Sequence, residues 1–187
     1  MLAGTIGCAA RPFAPESGPS RADRVAALPA QPADRVLLAN RAGVSPPDTV
    51  VQFAARDGRT IVLRHAPPDN AVFVVVQVPA DTAAGDSLQL TLRPVPGRYG
   101  VVVQAEPRLP SGASVAFSYA IHFAPPDNHP TAAYPTAARY ADWLAILRVQ
   151  ADGSYRFLAT SRPATDMVRA MLEQPGEYLV GAPVTPP

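Results

Sequence analysis

Three histidines, His65, His122 and His129, are the side chains of this chain best suited to proton or metal chemistry near neutral pH. His122 and His129 flank Asp127. Imidazole and carboxylate groups together ligate metals or move protons. The spacing follows no compact ligand pattern, however, and alternation along the preceding residues directs His122 to a solvated face. His65 and His122 each stand just before the pentapeptide APPDN, at 66–70 and 124–128. Pro-Pro-Asp-Asn fixes φ twice and then offers residues that tolerate turn geometry, so two strand ends using one turn account for the repeat. No metal or cofactor is expected on this reading. A small hydrolase or metal-binding protein using the loop of His122, Asp127 and His129 is the alternative.

Gly85-Asp86-Ser87-Leu88 resembles the nucleophile block of a family of serine esterases. That resemblance implies a serine opening onto a helix and a partner histidine near the carboxy terminus. Here an alternating stretch follows Ser87 and no histidine occurs after His129, so a turn entering a strand is the preferred reading. Ser114 lacks a nucleophile-elbow setting for the same reason. The chain is therefore expected not to be an enzyme. Tyr134, Tyr140 and Trp143 gather around the long loop of residues 125–135. With His129 they are the candidate binding residues, because aromatic rings on a loop stack on sugars or anchor a partner protein. The competing reading makes the single tryptophan a core plug.

Composition narrows the classes. In 187 residues, 48% are hydrophobic and 17% charged, which suits one folded domain of ordinary size with a tail. The net charge is +1 and the basic residues, all arginine, are scattered singly, so nucleic acid is not an expected partner. One cysteine forms no internal disulfide. No window approaches the roughly 18 apolar residues that cross a bilayer as a helix.

Thr5-Ile6-Gly7-Cys8 resembles the end of a bacterial lipoprotein signal, where a cysteine behind a small residue becomes acylated. Seven residues before Cys8 are too few for the basic and apolar segments of such a signal. An upstream start would complete it. The resemblance implies lipidation at Cys8, membrane attachment through that lipid alone, and an envelope location, periplasmic or lipid-anchored; a cytoplasmic protein with a free thiol is the alternative. Residues 9–24, rich in Pro, Ser, Ala and Gly, read as a flexible tether. Pro29 and Pro32 prevent one long helix and leave room for one short helix or strand near 35–39. A Pro/Ala-rich flexible tail over 1–46 and a folded domain over 47–187 follow.

The domain must position whatever site exists, and its pattern is that of strands. Leu88, Leu90 and Leu92, then Tyr99, Val101 and Val103, then Val115, Phe117, Tyr119, Ile121 and Phe123 repeat with a period of two. Turn-forming residues 94–97 and 107–112 separate them, which predicts a three-stranded antiparallel meander. Further strands are predicted over 49–54, 60–65, 72–78, 143–149, 154–159 and 177–182. The apolar 72–78 run belongs inside a sheet, and Asp152-Gly153 marks a hairpin. Thr136 is a fair cap for a helical turn over 136–142. Residues 165–174 fit a helix face and a strand alternation equally.

Residues 73–92, FVVVQVPADTAAGDSLQLTL, resemble the strand–Pro–Ala–strand signature of the ankyrin-type spectrin-binding domain, which also occurs in netrin receptors and, loosely, in bacterial envelope proteins. Asp81 stands where that pattern has glycine. Residues 144–180, ending in Gly176-Glu177-Tyr178-Leu179-Val180, resemble the closing strands of the bacterial relatives. The resemblance implies a strand over 167–172 and an all-β, antiparallel Ig-like β-sandwich. It also implies a non-enzymatic envelope module that binds a protein or glycan partner.

Overall fold

The computed structural model describes residues 19–82, 86–127 and 132–187. Cys8 and His129 lie outside the described residues. The chain is mostly strand, in antiparallel sheets with little helix. It opens with α1 (Arg21–Ala26), then β1 (Val36–Leu38), β2 (Asn40–Arg41), β3 (Thr49–Ala54), β4 (Arg59–Arg64) and β5 (Val72–Val78). There follow β6 (Ser87–Pro94), β7 (Gly100–Glu106), β8 (Ser114–Ser118), β9 (Phe123–Ala124) and α2 (Ala137–Ala141). The rest comprises β10 (Ala145–Val149), β11 (Tyr155–Phe157), β12 (Thr160–Ser161), β13 (Met167–Met171) and β14 (Gly176–Pro183).

One sheet runs in the order β11-β10-β14-β7-β6-β3, with β1 also on β14; the other runs β12-β13-β8-β5-β4. A single apolar core lies between them. Leu90, Val101, Val103 and Phe117 are fully buried, as the alternation predicts, whereas Tyr119, expected in the core, is only partly buried at its margin. Phe73 of β5 meets Phe117 of β8 edge-on at 5.9 Å and Tyr99, ahead of β7, at 5.8 Å, so the two sheets are joined by aromatic contact. The 144–159 hairpin forms, Thr136 caps α2 by accepting from the Arg139 N–H, and residues 167–171 are a strand paired with β8.

Two expectations are corrected. The three alternating runs do not form one meander. β6 and β7 pair, but the 107–113 connection carries the chain to the other sheet, where β8 lies between β5 and β13. Period two fixes which residues face a core, and both sheets share that core. Nor does the strand continue to residue 123. The chain leaves the sheet after Ser118, His122 takes a left-handed φ of 57°, and Phe123 pairs with Arg41 in the small β2–β9 ribbon.

The folded domain also begins well before residue 47. Val25 is buried, Gln31 exchanges two backbone hydrogen bonds with Tyr155 at 2.8 Å, and Leu37 and Ala39 lie in the core. Pro-rich composition predicted a tether; the prolines only interrupt short elements that pack one by one. β1 docks beyond the end of β7, on the same side of β14. The junction is sealed by Ala39 N–H to Val180 O (2.8 Å), Val180 N–H to Tyr99 O (2.7 Å) and Tyr99 N–H to Ala39 O (3.1 Å). Gly181 makes this approach possible, because a Cβ there would sit 2.6 Å from Leu37 O. Gly181→Ala is expected to cost about 1–3 kcal/mol by overpacking and to loosen β1. Chemical denaturation and limited proteolysis within residues 29–48 check this; an unchanged midpoint and cleavage pattern would contradict it.

Candidate functional site

Two places among the described residues set polar side chains around an imidazole pair or a groove. The first lies at the end of the domain where β4, β2 and β9 meet. His122 Nε2 is 2.7 Å from Asp69 Oδ2. Its carbonyl accepts from the Ala42 N–H at 2.9 Å, and its ring lies against Gly43, where a Cβ would stand 3.4 Å from the ring. Gly43 has φ +81°, so it combines a close approach with a left-handed backbone. His122 thus ties the 42–43 and 66–70 loops to its own turn. Behind it, at 5.1 Å between ring centroids, is His65, only 2% exposed. Both His65 ring nitrogens are buried and unpartnered among the described residues. Burial, with His122 and Arg41 nearby, pushes the His65 pKa down, and Asp69 opposes this weakly.

Arg41, also buried, completes the cluster. It donates to Arg98 O (3.3 Å), Val44 O (3.2 Å) and Ser45 Oγ, and its guanidinium lies 5.2 Å over the Phe73 ring. Its partners are carbonyls, a hydroxyl and an aromatic face. The charge is therefore solvated by dipoles, and desolvation lowers its pKa. Tyr99 donates its hydroxyl to Ile121 O, and burial raises its pKa to about 12.

Of the alternative trio His122, Asp127 and His129, the last lies outside the described residues, and the described neighbours of His122 are others. Its carboxylate is Asp69, of the first APPDN, and its neighbouring imidazole is His65, while Asp127 is exposed in the following turn. Among the described residues no group of three or more His, Cys, Asp or Glu is arranged to hold a metal. The repeated APPDN was the available signal: the histidine before one copy bonds the aspartate of the other. Ser87 begins β6 and accepts from Gln52 Nε2 at 3.0 Å; Ser114 accepts twice from Arg169, at 3.0 and 3.2 Å.

The second place is a groove beside Trp143. A cavity of about 490 Å³ is bounded by α1, by Asp142 and Trp143 after α2, and by residues 160–162. Trp143 is 8% exposed and forms its wall, with the Arg21 and Arg24 guanidinium groups 5.0 and 5.9 Å from the indole centre. Arg21 Nη1 donates to Asp142 O at 3.2 Å and lies 3.6 Å from Asp142 Oδ2, which also receives Arg139 at 3.3 Å. Arg162 is fixed between Tyr119 Oη (2.7 Å) and the carbonyls of Ala141 (2.8 Å) and Leu144 (3.0 Å), so it closes the C-terminal end of α2. A second hollow of about 780 Å³ shares Arg21, Asp142 and Arg162 with the first.

The other candidate aromatics are corrected. Tyr134 and Tyr140 are fully buried, donating to Pro183 O (2.5 Å) and Leu37 O (2.8 Å). Burial raises both phenol pKa values. Satisfied hydroxyls let these rings enter the core, so neither is a surface anchor. The structure brings together Trp143 with Arg21, Arg24 and Arg162, arginines that scattered spacing did not single out. Compared with protein-family models, curated proteins and solved structures, the chain matches none.

Proposed function

We propose that this chain is a non-catalytic, Ig-like β-sandwich module of the bacterial cell envelope that binds a glycan or protein partner in the groove beside Trp143. The observation that carries this reading is the lining of that groove. One aromatic wall, fixed guanidinium donors, the Asp142 carboxylate and the hydroxyls of Ser20 and Ser161 are held by packed elements. Flat donors and acceptors beside an aromatic wall suit a hydroxyl-rich chain, which favours a glycan. The two hollows meeting at Arg21–Asp142 suit an extended ligand. The lipoprotein-like Cys8 supports an envelope location, with attachment through an acyl chain. Among the described residues no helix is long and apolar enough to cross a membrane.

Trp143 is the single tryptophan, so its fluorescence reports on the groove directly. Titration with soluble peptidoglycan fragments is expected to give a saturable emission change. Arg21→Ala should weaken it by about tenfold, near 1.4 kcal/mol, while leaving the fold intact. Equal affinity of the variant, or no saturable change, would remove the groove as the glycan site. A hydrolytic alternative has one observation in its favour, the Asp69–His122 bond, which orients an imidazole as a general base requires. Turnover of a generic ester, lost in His122→Asn, would select that alternative.

A further inference from the structure

We propose that His65 is the latch of an acid-sensitive clasp: its protonation releases the loops that His122 holds together at the β2–β9 end of the domain. The geometry supplies the reason. His65 is 2% exposed, and both ring nitrogens lack a hydrogen-bond partner among the described residues. A neutral imidazole tolerates this site because Phe73 packs edge-on against it at 5.4 Å. Among the described residues an imidazolium finds no acceptor there.

The charged and titratable groups facing it from each packed element oppose or fail to rescue that charge. From β2 comes Arg41, a buried cation. From the turn before β9 comes His122, its ring 5.1 Å away. Tyr99, ahead of β7, spends its hydroxyl on Ile121 O. Among the described residues the carboxylate that acts on it is Asp69, on the loop that follows His65, and His122 engages it at 2.7 Å. The β5–β8 and β6–β7 ladders carry no such group.

The direction of the pH effect follows from linkage. The folded pKa of His65 is lowered, so the open state binds the proton more readily than the closed one. Closure is fully stable above about pH 6.5, the ordinary histidine value, and weakens as pH falls below it. The opening equilibrium should rise by up to about tenfold per pH unit while one proton is taken up.

Amide hydrogen exchange of the full chain tests this through two reporters, Ala42 N–H (to His122 O) and His65 N–H (to Ala71 O). Corrected for intrinsic rates, their protection is expected to fall by about tenfold per pH unit below about pH 6.5. Amides of β5 and β8 should hold. His65→Phe, which keeps an aromatic ring against Phe73, should abolish the fall. Unchanged protection in the wild type, an equal fall in His65→Phe, or loss across the whole sheet would each overturn the proposal. Should His65→Phe fail to fold, the His65 imidazole titration in the wild type decides: an imidazole that titrates below about pH 6.5, where the amides' loss of protection levels off, supports the latch, and one that titrates at or above about pH 6.5 refutes it.

Discussion

Phe117→Ala is expected to lower the unfolding free energy by about 3–5 kcal/mol. Phe117 is fully buried in the middle of β8, opposite Val74 of β5 on one side and Val168 of β13 on the other. Its ring meets Phe73 edge-on at 5.9 Å. Because both neighbouring strands are hydrogen-bonded into the sheet, they cannot close on the space a missing ring leaves, and the cavity term adds to the lost transfer energy. Urea denaturation with an unchanged slope isolates the effect. A loss under about 1 kcal/mol would mean that the core face of β8 is not the one described. Val62→Ala is the control: Val62 is 42% exposed on β4 and should change stability by less than about 0.5 kcal/mol.

The strands were legible because their signal is local. Alternation and Gly-containing turns located β3, β5, β6, β7, β10, β11 and β14 to within a few residues. Pairing is not local, and there the reading failed. β8 has the same alternation whether it continues the sheet of β7 or crosses to face it, so its neighbours β5 and β13 were invisible. In the N-terminal region the short element near 35–39 is β1, but its place in the core was missed for a different reason. Composition reports average flexibility, but β1 needs only Val36, Leu37 and Ala39 in the core and one glycine, Gly181, that admits its backbone. At the candidate sites, residue type misled. Tyrosines in a Pro-rich loop look exposed, since a buried hydroxyl needs a partner; the partners are main-chain carbonyls, which no sequence pattern marks. His65 was hidden for the opposite reason: it is buried without a hydrogen-bond partner among the described residues, which polarity alone argues against.

Tyr140→Ala is expected to cost about 3–5 kcal/mol, a stability effect at a residue whose loop position suggests binding. The ring is fully buried, stacked 13° from parallel on Phe123 at 5.9 Å and edge-on to Tyr134 at 5.6 Å. It therefore joins α2, the β2–β9 ribbon and the loop before α2 in one aromatic contact. Its hydroxyl donates to Leu37 O at 2.8 Å, which fastens β1. Two variants separate these roles. Tyr140→Phe keeps the stack and removes only the donor to a buried carbonyl, for an expected loss of about 1–3 kcal/mol. That loss should come with faster exchange of the β1 amides while those of β5 and β8 are unchanged, because only β1 is held by the hydroxyl. Tyr140→Ala removes the stack too and should expose Phe123, lowering the whole transition. Denaturant midpoints of the two variants, read beside exchange at Leu37 and Ala39, check the order. If Tyr140→Ala kept wild-type stability, the ring would have to be outside the core, and the loop would again be a candidate contact surface.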